Sequence, residues 1–137
     1  MALQYSVGVR NAKLDAVEVS IGVAPELHIR SGLPPANCAA PSQGTLLMIM
    51  ALPSDWMAVA AAGVKGKNGT WSGVGIANGT AGHFRIVNGS PSEDCQVQGL
   101  IETQGGSPTG DMGLDNTSIA VSQAASVTSF NLTAGNA

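Results

Sequence analysis

Between Val7 and Ile21 the apolar side chains Val7, Leu14, Val17 and Ile21 fall on one stripe at helical spacing, with Arg10, Lys13, Asp15 and Glu18 mostly elsewhere. Ser6 can cap that helix, Gly8 weakens its first turn, and Gly22 followed by Pro25 ends it. No second long helix follows. From Glu26 the apolar period drops to two, and short alternating runs separated by Gly, Pro and Asn continue to the end of the chain. A doubly wound parallel sheet needs a helix after each strand, so this pattern excludes it.

The alternating runs are short and regularly spaced. Leu27 and Ile29 alternate with Glu26, His28 and Arg30, which predicts a strand with one wet face. Leu33 to Gln43, with Pro34, Pro35 and Pro41, is a loop, because proline removes ladder donors. Leu46 to Leu52 is apolar throughout, which in a sheet implies burial on both faces, and the N-terminal helix is the expected cover for the second. Pro53 to Trp56 reads as a turn or helix start, with one or two helical turns from Met57 to Ala62 closed by Gly63.

Asn68-Gly69 and Asn78-Gly79 are hairpin-type turns around Trp71 and a Val74/Ile76 alternation. Phe84 and Ile86 point inward from His83 to Val87. Asn88-Gly89 then turns the chain into a strand beginning at Cys95, and Gln104 to Gly110 forms a second Gly/Pro loop. Ile119 with Val121, and Phe130 with Leu132, are expected inward on the last two strands. About seven or eight strands of this kind predict a mainly β domain. Its architecture is an antiparallel β-sandwich or jelly-roll-like domain, with the helix at about 7–21 and the sandwich at about 26–133. A chain of 137 residues has the size of one domain, and without internal repeats a propeller or solenoid has no support.

Composition bears on the surface. Only 11% of the residues are Asp, Glu, Lys or Arg, against roughly 25% in an ordinary soluble domain. Gly, Ala, Ser, Thr, Asn and Gln must therefore form most of the exterior, and such a surface costs little to desolvate against another protein. The net charge of −3 and six scattered basic residues from Arg10 to Arg85 give no basic stripe for nucleic acid. No apolar run approaches the roughly 20 residues of a membrane span. Met-Ala-Leu-Gln-Tyr-Ser at the start carries no basic and apolar leader pattern, so synthesis and assembly in a cytoplasm are expected. Five Asn-x-Ser/Thr sequons then read as turns, three of them being Asn-Gly.

The residues that could carry chemistry do not assemble into a motif. His28 and His83 each stand two residues before an arginine on an expected wet face, and no nucleophile elbow frames any serine. Glu26, Glu93, Asp94 and Glu102 lie on wet faces or in turns, without the look of a glycosidase pair. Asp111-Met-Gly-Leu-Asp115 lacks the alternating oxygen ligands and closing glutamate of a calcium loop. Gly73-Val-Gly75-Ile-Ala-Asn-Gly79 misses the dinucleotide spacing by one residue. No catalytic, metal or cofactor residues are assigned, and the chain is expected not to be an enzyme.

Candidate contact residues remain. Leu33, Pro34 and Pro35 form a proline-stiffened loop that loses little entropy on docking. Trp56, with Met57 beside it, and Trp71 either plug the core or protrude as interface anchors. Cys38 and Cys95 match no metal spacing; they are free thiols in a reducing compartment, or a disulfide after exposure to an oxidising one.

The sequence resembles a family of small virion structural proteins of tailed bacteriophages and prophages. Gln4-Tyr-Ser, Arg10-Asn-Ala-Lys-Leu-Asp15, Leu27-His-Ile-Arg-Ser-Gly32, Pro35-Ala-Asn-Cys-Ala-Ala40 and Leu52-Pro-Ser-Asp-Trp-Met57 carry the likeness, with Gly69-Thr-Trp71 and Thr80-Ala-Gly-His-Phe-Arg-Ile86. Asp111-Met-Gly-Leu-Asp-Asn-Thr-Ser-Ile-Ala120 and Phe130-Asn-Leu-Thr-Ala-Gly-Asn-Ala137 complete it, while Pro91-Ser-Glu-Asp94 lengthens a turn beyond the pattern. The resemblance implies a capsid decoration or cement protein, or a tail component, in a virion assembled in the bacterial cytoplasm. Its partners would be the major capsid protein or tail proteins and further copies of itself. A surface module for a host receptor or carbohydrate is the reading from another class, and Asp55-Trp56 is its best feature.

Overall fold

The computed structural model describes residues 3–88, 94–102 and 111–135. The turn residues Gly89 to Glu93 and the Gly/Pro loop ending at Gly110 lie outside them. The helix α1 spans Val7–Ile21 as the apolar spacing predicts. Ser6 Oγ accepts from Val9 N at 3.3 Å, and Gly22, at φ +96°, returns its N–H to Glu18 O at 2.9 Å.

Nine strands follow among the described residues: β1 Glu26–Ser31, β2 Leu46–Ala51, β3 Val64–Gly66, β4 Ser72–Val74, β5 Gly79–Val87, β6 Cys95–Leu100, β7 Met112–Leu114, β8 Ser118–Ile119 and β9 Ala124–Thr133. They form two antiparallel sheets. One runs β2-β1-β5-β6 with β8 added to β5; the other runs β3-β9-β4 with β7 added to β9. The fold is a β-sandwich with one N-terminal helix.

Inward residues of both sheets meet in one core that includes Leu27, Ile29, Phe84 and Ile86 from the first and Met112, Val127 and Phe130 from the second. Rings bridge the layers. Trp56 lies 6.0 Å from Trp71, Trp71 lies 5.5 Å from Phe130, and Phe130 meets Phe84 edge-on at 5.7 Å. Trp56, Met57 and Trp71 are all buried, so of the two readings the tryptophans take the core one, and all three are removed from the candidate contacts. Each indole also satisfies its N–H internally: Trp56 donates to Gly22 O at 2.9 Å and Trp71 to Asn68 O at 3.1 Å.

Several local expectations fail for identifiable reasons. Residues Met57 to Ala62 form no helix; Met57 bridges Lys67 and Ala61 bridges Val64, because the chain here is recruited as irregular edge to the second sheet. In β2, Leu47, Met48 and Met50 are buried but Ile49 is open. The cover comes from glycines elsewhere, not from α1: a Cβ on Gly73 would lie 3.1 Å from Met50 Cγ, and one on Gly79 would lie 2.9 Å from Leu47 Cδ2. Val74 and Ile76 are exposed, since Gly73 and Gly75 beside them take the inward positions; Val121, expected inward, is exposed as well.

Helix α1 packs its N-terminal half against the second sheet, while Val17 and Ile21 reach the main core. Leu14 joins Ala60 and Ala134 in a small satellite core, Asn11 Oδ1 accepts from Gly63 N at 2.9 Å, and Arg10 Nε donates to Ala134 O at 2.6 Å. Gly63 is required there. A side chain on it would strike the Arg10 guanidinium, and its φ of +76° disfavours any Cβ.

Candidate docking surface

The outer face of the first sheet carries His28 and Arg30 on β1, His83 and Arg85 on β5, and Gln98 on β6. Register places His28 opposite Arg85, Arg30 opposite His83, and Arg85 opposite Gln98. Alternation marks this face as wet, yet His28, His83 and Arg85 are buried. The cover is the proline loop between β1 and β2. It folds back as a strap over the polar side chains, so that this layer is polar and dry at once.

Arg85 is the post on which the strap hangs. Its guanidinium donates to Ser42 Oγ at 2.8 Å and to the carbonyls of Cys38 at 2.8 Å, Ala40 at 3.0 Å and Asn37 at 3.4 Å. Five fixed donors in a planar fork suit a buried guanidinium to several carbonyls at once, which an ammonium cannot match. Gln98 Nε2 donates to Pro35 O at 2.8 Å, and Gln43 Nε2 to Leu33 O at 2.9 Å. At the base, Ser31 N donates to Thr45 O at 3.1 Å while Ser31 Oγ accepts from Thr45 N at 2.9 Å. Gly44 closes this base at φ +74°, where a Cβ would collide with the Ser31 carbonyl.

His83 Nδ1 lies 3.0 Å from Gly32 O, so this nitrogen carries the proton and donates it to the carbonyl. Its Nε2 has no hydrogen-bond partner among the described residues. Burial, opposed by that carbonyl and reinforced by Arg30 and Arg85, holds the imidazole below its ordinary value of 6.5. His28 Nε2 lies 3.6 Å from Glu26 Oε2. Neither histidine faces solvent as a candidate base would.

Of the candidate contact residues, the structure divides the loop. Leu33 stands 72% exposed, Pro34 is half-buried, and Pro35 is buried against the sheet. Leu33 is therefore an apolar side chain held out on an ordered strap. A second exposed apolar group surrounds the crossing at Gly75, whose backbone bridges Met48 on one side and Val121 on the other. Ile49, Val74, Ile76 and Val121, all within a residue of that crossing, are exposed.

Beneath the strap, Cys95 Sγ donates to Cys38 Sγ at 2.9 Å, and both thiols are free and half-buried. Burial and the Cys38 neighbour push the Cys95 thiol up to about 11, against the opposing pull of Arg85.

A charged cluster with no sequence signal lies between α1 and β3. Lys65 is 2% exposed, and its ammonium donates to Asp15 Oδ1 at 2.7 Å and Ala58 O at 2.8 Å, with Glu18 Oε2 also at 2.7 Å. Burial pulls its pKa down, and the two carboxylates more than offset this, leaving it above 10.5. The hydrogen bond from Lys65 in turn holds Asp15 below 3.8. A cleft of about 410 Å³ opens beside this cluster, rimmed by Val19, Val59, Asp55 and Asn68. Each donor of Lys65 is already used, so the cluster is a structural tie between helix and sheet. The carboxylates Asp111 and Asp115 are likewise spent on the backbone N–H groups of Leu100 and Ser126, each at 2.9 Å. No family model, curated protein or solved structure matches this chain.

Proposed function

We propose that this protein is a structural component of a tailed-bacteriophage particle, a decoration or cement protein that docks on the head lattice as a symmetric oligomer. The observation that carries the reading is the exposed apolar group of Ile49, Val74, Ile76 and Val121 on a chain with only 11% charged residues. Scattered exposed aliphatics are ordinary, but a cluster in neutral surroundings favours a protein partner. The ordered strap presenting Leu33 adds a second contact with little entropy left to lose. Many such contacts repeated over a lattice sum by multivalency, so each can be weak.

The receptor-binding alternative loses its best feature. Trp56 is 1% exposed and cannot stack on a sugar or a peptide. Location is tested by electron microscopy of particles carrying a C-terminal label, with labels expected over the head. Labels along the tail or at its tip would move the assignment to a tail protein. A chain that stays monomeric at high concentration and never purifies with particles would overturn it. Val74→Glu should abolish particle association while leaving the melting temperature unchanged, since Val74 is 54% exposed.

A further inference from the structure

We propose that Cys38 and Cys95 are a dithiol–disulfide site, closed by a low-molecular-weight disulfide such as oxidised glutathione, that fastens the strap covalently to β6. The two sulfurs already touch at 2.9 Å, although 57 positions separate the residues in sequence. Each is held by neighbours that do not depend on the bond. Arg85 grips the carbonyls of Asn37, Cys38 and Ala40, and Gln98 of β6 grips Pro35, while Cys95 opens β6 opposite Val87 of β5. Such positioning makes closure effectively intramolecular and favours it over pairing with another chain. Half-burial leaves the pair reachable by a small reagent.

The chemistry balances in two exchanges. Cys38 Sγ, losing its proton, attacks oxidised glutathione; a Cys38–glutathione bond forms, the glutathione disulfide breaks, and one glutathione leaves as thiol. Cys95, which burial keeps protonated in the resting protein, then gives up its proton as its sulfur attacks Cys38 Sγ. The second glutathione leaves. Two protein thiols are oxidised to one disulfide, and one glutathione disulfide is reduced to two thiols, which carry the two protons. The proposal is independent of what the strap docks against.

The test compares the full-length protein after equilibration with oxidised or with reduced glutathione. Expected are loss of both alkylatable thiols, a monomer lighter by two hydrogens, and a cross-linked peptide pair containing Cys38 and Cys95. Constraining a loop of this length in the unfolded chain should also raise the melting temperature by roughly 10 °C. Cys38→Ser and Cys95→Ser should show no such rise; should either fail to fold, the oxidised and reduced wild-type forms alone decide. Persistence of both free thiols, a separate glutathione on each, chain-to-chain dimers, or a disulfide that leaves the melting temperature unmoved would each overturn the proposal.

Discussion

The energetics of Lys65 follow from an asymmetry of burial. The ammonium is 2% exposed, whereas its partner Asp15 retains 47% of its side-chain exposure and Glu18 retains 23%. Removing the cation leaves two carboxylates that water can reach; removing the carboxylates strands a buried cation, the costlier error. Lys65→Met keeps the stem's packing and should therefore lower stability by only about 1–2 kcal/mol. The pair Asp15→Asn with Glu18→Gln should lower it further, and urea melts of the two variants establish the order. The same groups set the pH profile. His83 and Asp15 titrate lower in the folded state than their ordinary 6.5 and 3.8, so each contributes stability that is complete above that value and is lost as pH falls from it through the folded value. Lys65 is shifted the other way: its contribution is complete below 10.5 and is lost as pH rises through its higher folded value. Cys95, whose thiol is raised on folding from 9.0 to about 11, also loses its contribution as pH rises from 9.0, so stability should plateau between 6.5 and 9.0, and the first acid decline should disappear in His83→Gln. Melting temperatures measured across that range, with wild type and variant side by side, check this.

At the scale of elements, the strap is the part whose order depends most on one side chain. Arg85→Lys keeps the charge but loses the fork, and with it two or more of the four hydrogen bonds that hold Asn37, Cys38, Ala40 and Ser42. Local opening should become about tenfold more frequent, given roughly 1 kcal/mol or more for the bonds lost. Thermolysin cleavage before Leu33 should accelerate by that factor under conditions where the global melt barely moves. The sequence made the helix legible because fifteen residues share one period and both ends carry cap residues. It made the inner faces of β1 and β5 legible through Leu27, Ile29, Phe84 and Ile86. The opposite face was not legible. Alternation reports that His28, His83 and Arg85 lie away from the core, but the strap that buries them is aperiodic and comes from another part of the chain. Lys65 was hidden for a related reason: its strand is only three residues long, and nothing local reveals two carboxylates one helix away. Around Gly73 and Gly75 the inward positions carry no side chain at all, so a hydrophobic pattern marks the wrong face there.

For the whole molecule, scarcity of charge should govern how association responds to solution conditions. The few ionised groups are unevenly available: Lys65 and Arg85 are buried and engaged, Arg10 is half-buried and bonded to Ala134 O, and several carboxylates are tied to backbone amides. What remains outside offers little for salt to screen. The exposed aliphatics around Gly75 and Leu33 offer a contact whose strength comes from apolar burial, which weakens on cooling and is reinforced by sulfate. Binding to particles, measured by co-sedimentation, should therefore vary by less than about threefold between low and high sodium chloride, because exposed charges contribute little to it. It should weaken on cooling and strengthen in ammonium sulfate. Docking dominated by charge would give the reverse ordering, with steep loss in salt and little response to temperature. Such a result would direct attention away from the apolar cluster and toward the acidic rim of Asp55 beside Lys65, a surface that the composition makes small.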